Sequence, residues 1–373
     1  MAKTTVPPDR GADQIRHLLA TPEIRAFIAD LEVTRWTGRP GYPIRAMVGM
    51  TLVKSLYVLP TWTRTARLVA DHAGLRKALG GAPSADACYR FTRKLREHDA
   101  ALADCIAAVL ASLHEAIPGL GEHVAIDGSD LPAYANGQRY VSKGGKLRET
   151  FSDPDATWGH RSAISTRKGG GFYGYKIHAA VCTTTGLPLA WETHTASAAE
   201  VPVVPTLLDS LRANGFVPAT CAMDKGYDAC TIYDGCEALG IRPIVPLRQT
   251  GRVVKGEDKP PTCDHGTWNF AGSDAKRGAA KYRCPTGECT PASVWVKADR
   301  LHTLVPRGTD RWKALYRGRA GVEREFGRLK HEWALLPLRV RRIAKVALHV
   351  DLTVLGRLAL ALVQARSAVT IAA

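Results

Sequence analysis

Two aspartates follow short apolar runs in the middle of the chain. Asp127 comes after His123-Val124-Ala125-Ile126, and Asp224 after Ala219 to Met223. If both runs are strands, both carboxylates close a strand, and strand ends in α/β sheets are where ligand sites gather. Two carboxylates held together repel unless a cation lies between them. Mg²⁺ suits such a pair, because it takes hard oxygen ligands and relies on one or two carboxylates with water and phosphate. Taken singly, each aspartate reads equally well as a turn or helix cap. Asp130 and Asp228 are the nearest rival carboxylates, and turn or supporting roles fit both.

A third carboxylate comes from a basic stretch, Thr309 to Trp333, that reads as one helix. Tyr316, Arg319, Glu323 and Lys330 lie at offsets of 0, 3, 7 and 14. At about 100° per residue these four fall within a band roughly 60° wide. One helix face then carries a phenol, a guanidinium, a carboxylate and an ammonium. Glu325 points about the opposite way, which selects Glu323. A solvated i,i+4 salt bridge accounts for Arg319 and Glu323 but not for the tyrosine or the lysine. Lys176, in Gly-Tyr-Lys-Ile-His, either contacts phosphate or pairs with a carboxylate.

Cys263-x-His265 and Cys284-x4-Cys289 supply four ligands of the type that holds structural Zn²⁺. The Cys-x-His spacing is tighter than usual, and buried cysteines without metal are the ordinary alternative. The other six cysteines, Cys88, Cys105, Cys182, Cys221, Cys230 and Cys236, show no partner pattern and read as core. Trp268, Trp295, Trp312 and Trp333 are candidates for stacking on a base, although packing is the ordinary role of each.

The elements that must position these groups follow from periodicity. Residues 1–118 read as helical, with Ile15, Leu18 and Leu19 and then Met47, Met50, Leu52, Val53 and Leu56 at helical spacing. A helix from Ala85 to Glu97 places Arg90, Arg93 and Lys94 on one face, either solvated or facing DNA. From 119 to 249 strands appear at 123–126, 174–181, 187–193, 219–223 and 241–245. Helices at 203–213 and 230–239 separate the last three. That order predicts an α/β unit, one mixed sheet with flanking helices. Residues 250–305 form a Gly-, Pro- and Lys-rich insertion, and 306–373 return to helix.

Composition sets the class of partner. The chain has 373 residues, 45% hydrophobic and 23% charged, which excludes disordered and collagen-like classes. Its formal net charge of +16 predicts a polyanionic partner, nucleic acid before membrane. Half of that excess lies between Arg307 and Lys345, around Glu323. Nine scattered cysteines do not look like a disulfide framework. The N-terminus has no apolar leader, and the apolar stretch from Val346 to Val363 is interrupted by His349, Asp351 and Arg357. It reads as an amphipathic packing helix, so a cytoplasmic protein with no membrane partner is expected.

Tyr316-x2-Arg319-x3-Glu323-x6-Lys330 resembles the Y-R-E-K signature of bacterial insertion-sequence transposases of the DDE superfamily. Asp127 in Ala-Ile-Asp-Gly-Ser and Asp224 in Met-Asp-Lys-Gly-Tyr-Asp resemble that family's first and second catalytic aspartates. Gly38-Arg39-Pro40-x-Tyr42-Pro43 and Pro83-Ser84 are similar to its N-terminal part. Phe326-Gly327-Arg328-Leu329-Lys330 and Pro337-Leu338-Arg339 are similar to its C-terminal block. The resemblance implies a ribonuclease H-like catalytic fold, preceded by an all-helical DNA-binding domain and interrupted by an insertion before the last catalytic helix. It further implies Asp127, Asp224 and Glu323 as ligands of Mg²⁺ (or Mn²⁺), with Tyr316, Arg319 and Lys330 on DNA phosphates. The substrates would be double-stranded transposon ends and target DNA, held by a homodimer in a synaptic complex on the bacterial nucleoid. A nuclease or resolvase without strand transfer, and an inactive DNA-binding derivative, are the competing readings.

Overall fold

This computed structural model describes residues 10–34, 41–143, 145–161, 168–248 and 259–372. Gly38, Arg39 and Pro40 of the N-terminal motif therefore lie outside the described residues. Among the described residues seven helices come first: α1 (Arg10–Ala20), α2 (Pro22–Val33), α3 (Ile44–Leu56), α4 (Trp62–Asp71), α5 (Ala73–Leu79), α6 (Ala85–Glu97) and α7 (Asp99–Ala116). Local signals set their ends. Thr61 and Ser84 side chains accept the Arg64 and Ala87 N–H groups and cap α4 and α6. Gly80 ends α5 in the left-handed conformation at φ +75°. Nearly every residue of α3 is buried, so it is the central rod of this layer. The basic stripe on α6 divides, since Lys94 Nζ turns away to donate to Thr34 O at 3.1 Å.

The sheet-bearing unit begins with β1 (His123–Pro132), β2 (Thr157–Arg161), β3 (Gly170–Cys182) and β4 (Pro188–Thr195). It continues with α8 (Val203–Ala213), β5 (Thr220–Ala222), α9 (Cys230–Ala238) and β6 (Arg242–Ile244). β1 pairs antiparallel with β3 and parallel with β5, and β5 parallel with β6. Along its outer edge β3 carries β2 on its first half and β4 on its second. Apart from β2, the strand and helix order is the expected one, and the result is one mixed sheet with flanking helices. The insertion holds the hairpin β7 (Thr262–Cys263) and β8 (Gly266–Thr267). The antiparallel sheet β9 (Asn269–Asp274), β10 (Ala279–Arg283) and β11 (Ser293–Lys297) completes it. It has its own small core of Trp268, Ala280, Tyr282 and Cys284.

The expected single helix from Thr309 to Trp333 is in fact two, α10 (Asp310–Arg317) and α11 (Ala320–Glu332). At the break, Gly318, Arg319, Gly321 and Val322 donate three residues back instead of four, to Leu315, Tyr316, Gly318 and Arg319 carbonyls. The cause is a close approach to the β3–β4 turn. A Cβ on Gly318 would stand 3.2 Å from Thr183 Cβ, and one on Gly321 3.4 Å from Thr183 O.

The final helix, α12 (Ile343–Ala372), is the packing helix expected from the interrupted apolar stretch. It is packed by α7, α3 and β4, with Val346, Val350, Val354, Leu358 and Leu362 fully buried. Its first 26 residues are long and apolar enough to cross a membrane, yet most of that stretch is buried in this fold. Asp153 and Asp155 carboxylates accept the Arg342 and Ile343 N–H groups at 2.9 and 3.0 Å and set where it starts.

Candidate active site

Asp127 does not end a strand. β1 runs on to Pro132, paired with β3 all the way to Gly174, while its ladder with β5 stops at Ala125↔Ala222. Asp127 thus sits where β1 outruns β5, two residues past the last rung. Asp224 occupies the matching place, two residues past Ala222. Its Oδ1 accepts the Gly226 N–H at 2.7 Å and caps a single 3-10 turn, Lys225–Tyr227. A Cβ on Gly226 would lie 2.8 Å from that oxygen, so the glycine is required for the cap. Asp127 Oδ1 accepts the N–H of Gly128 at 2.8 Å.

Arg319 joins the two ends of the chain's chemistry. Its Nη1 lies 3.3 Å from Asp127 Oδ2 and its Nη2 2.8 Å from Glu323 Oε1. The tight turn between α10 and α11 aims it there, with the guanidinium 5.7 Å from the Tyr316 ring centroid. Tyr316 stacks on Trp312 at 4.9 Å. One turn from the end of α11, Lys330 Nζ donates to Ser129 Oγ at 2.8 Å and stands 3.4 Å from Asp130 Oδ1. The break in the helix therefore leaves Arg319, Glu323 and Lys330 all on the side facing β1. Glu325 turns the other way. Its carboxylate is fully buried, 2.9 Å from Arg357 Nε of α12 and 3.4 Å from Arg328 Nη1.

The rival aspartates hold structure. Asp130 accepts Arg161 Nη1 at 3.0 Å, and Asp228 is clamped by the Arg300 guanidinium, the Tyr233 hydroxyl and the Arg248 N–H. Of the two roles open to Lys176, the structure takes ion pairing: its Nζ is 2.8 Å from Glu200 Oε1. Trp268, Trp312 and Trp333 are buried, and Trp295 alone of the four candidates is exposed.

Three neighbours have no counterpart in the sequence reading. Glu200, ahead of α8, brings a further negative charge to Asp127. Tyr227 is buried among Asp127, Glu200 and Asp224, and its hydroxyl has no hydrogen-bond partner among the described residues. His178, opposite Gly128 in the ladder, is buried with both ring nitrogens unpartnered among the described residues, and burial pushes its pKa down to about 3. Tyr227 lies inside Asp-Lys-Gly-Tyr-Asp and was findable there. Glu200 and His178 carry no local signal.

These charges are out of balance. Burial, with the Asp224 and Glu200 carboxylates, raises Asp127 to about 7 against the pull of the Gly128 N–H and Arg319. Several oxygen donors thus surround a single guanidinium beside a phenol without a partner. That donor set fits a hard divalent cation. In the insertion, the ligand atoms of Cys263, His265, Cys284 and Cys289 all lie within 4.8 Å of one another.

The sequence model of the family described as Transposase DDE domain matches residues 118–357, more than half of the chain. Among solved structures, the chain is similar to a piggyBac transposase in a synaptic complex with hairpin DNA, determined by cryo-EM. The two are 13% identical with a TM-score of 0.42, over 96% of this chain and 76% of that one. No curated protein sequence matches. The matched region holds the sheet, the insertion and α10 and α11 with Arg319, Glu323 and Lys330, and the chain belongs to the DDE-domain transposases.

Proposed function

We propose that Asp127, Asp224 and Glu323 are the catalytic carboxylates of this DNA transposase, cutting insertion-sequence ends and joining them to target DNA. The observation that carries this is the Arg319 bridge from Asp127 to Glu323, which ties the β1 carboxylate, itself within the field of Asp224, to the helix carboxylate. Enzymes of this family act with divalent metal ions. For this chain the ion is Mg²⁺, with Mn²⁺ able to replace it, on the three carboxylates. When bound, such ions make a nucleophile of water or a 3′-hydroxyl and stabilise the leaving oxygen during in-line displacement. Arg319 holds phosphate oxygens through its fork, Lys330 adds a point charge, and Tyr316 donates a hydrogen bond near the cleaved end. Lys176 keeps Glu200 in place and meets phosphate only if that pair opens.

Residues 1–118 are read as a DNA-binding helical domain, 119–249 and 306–373 as the two parts of the catalytic domain, and 250–305 as its insertion. The working form is a homodimer on two DNA ends in the bacterial cytoplasm. Zn²⁺ on Cys263, His265, Cys284 and Cys289 is part of this reading. Tetrahedral Zn–S bonds of ~2.3 Å place sulfurs about 3.8 Å apart, and Cys263 Sγ and Cys284 Sγ are 3.8 Å apart. His265 turns Nδ1 to the thiols, and its Nε2 is 3.4 Å from Glu288, as a carboxylate-oriented zinc histidine does.

The test is cleavage of DNA from the flanks of the gene. Asp127→Ala, Asp224→Ala and Glu323→Ala are each expected to abolish Mg²⁺-dependent cutting while binding persists. Cutting retained by any one removes that residue from the site. Cutting without joined products in the wild type would leave a nuclease.

A further inference from the structure

At the seam between the helical layer and the catalytic unit lies a cavity of about 380 Å³. Its walls mix two chemistries. Trp62, Leu348 and Leu352 give it an apolar floor, and Tyr89 and Tyr134 stand half-exposed at its edge. Arg93, Arg96, Arg339, Arg341 and Lys345 add cations, and no Asp or Glu lines it. Lys54, from the centre of α3, is the buried member of this set at 8% exposure, and its ammonium lies 5.7 Å from the Trp62 ring centroid. Among the described residues none of these six cations pairs with a carboxylate. Burial pushes Lys54 down to about 8, a cost that an anion in the cavity would offset.

Tyr134 ties this cavity to the site. It follows β1 directly, and its ring lies 5.1 and 5.0 Å from the Arg339 and Arg341 guanidinium carbons. Arg341 Nε also donates to Tyr134 O at 2.8 Å. The strand that carries Asp127 and Ser129, and the segment after the helix that carries Lys330, both end at this edge.

We infer that the cavity is a subsite for one unpaired nucleotide of the DNA the enzyme holds, an inference that rests on the DNA reading above. A duplex phosphate would engage the cations but leave the apolar floor empty, because its base stays in the stack. An unpaired base brings a π-face for tryptophan and tyrosine, and its flanking phosphates meet the cations. The volume is at the small end of ligand pockets, enough for one nucleotide and too little for several.

The test uses the full chain and two labelled duplexes, one blunt and one with a six-nucleotide single-stranded oligo(dT) tail. The tailed duplex is expected to bind about tenfold tighter, the scale of one stacked base. The tailed-to-blunt ratio should fall to near one in Tyr89→Ala, which alters a half-exposed side chain, and in Lys54→Met. A 2-aminopurine in the tail should lose fluorescence on binding the wild type only. Equal affinity for the two duplexes overturns the inference alone, as does a tail advantage kept by both variants. Free dTMP binding as tightly as the tailed duplex overturns it too. Failure to bind either duplex overturns both the inference and the DNA reading beneath it.

Discussion

Arg319 reaches across 192 positions of sequence to Asp127, 3.3 Å from its carboxylate, and by the same guanidinium holds Glu323. Strand and helix are registered through this side chain and, further along α11, through Lys330 on Ser129. The Arg319 charge partly balances the two carboxylates.

Arg319→Ala should therefore lower Mg²⁺-dependent cleavage by about 100-fold, the usual loss for one charge-stabilising donor. Arg319→Lys should recover little of this, because a point charge cannot span both partners. Single-turnover cleavage at saturating Mg²⁺ makes the measurement, and wild-type rates in the alanine variant would dismiss the bridge as decoration.

The two glutamates of α11 should separate stability from activity. Glu325→Ala leaves Arg357 and Arg328 without their buried partner and should cost about 3–5 kcal/mol in urea unfolding. Glu323 is more than half exposed, so its alanine variant should unfold within about 0.5 kcal/mol of wild type while failing to cut DNA. The reverse pattern would mean the wrong glutamate has been chosen.

Asp351 of α12 accepts the Trp191 Nε1–H at 2.8 Å, and burial raises its carboxyl to about 6. A folded-state pKa above the unfolded value means the folded chain holds the extra proton. Its stabilising effect is complete below about pH 4 and lost as pH rises through 6. Asp351→Asn keeps the acceptor and removes the charge. It should raise the melting temperature at pH 7.5, by on the order of 2 kcal/mol in stability. Melting curves from pH 4 to 8 that coincide with wild type would refute the assignment.

Purified protein should carry one zinc per chain, and Cys284→Ser should carry almost none. Chelator should lower the unfolding temperature of the wild type and leave the serine variant unmoved. Equal metal content in the two proteins would return these cysteines to ordinary packing.

Much of this was legible because the chemistry is written in short motifs. Asp127, Asp224 and the Tyr316–Lys330 spacing could be read directly, and α6 and α8 have the expected ends. The length of β1 could not be read, because Gly128-Ser129-Asp130 breaks the apolar run and only pairing with β3 keeps it extended. β2 was hidden for a similar reason: Thr-Trp-Gly-His-Arg lacks alternation and is a strand only by its ladder with β3. The break before α11 depends on contact with Thr183, which no helical periodicity records. Glu200 and His178 reach the site through folding alone.

Glu23 of α2 accepts Arg366 of α12 through both oxygens, at 3.0 and 2.6 Å, and Ser112 of α7 at 2.6 Å. Helix α2 is thus latched to α12 by residues 343 positions apart in sequence. During synthesis the helical layer stays an unclosed shell until α12 has been made, because that helix covers α3 and α7. A chain cut before α12 would therefore lose the cover of its helical layer and, with it, the helix packed on β4.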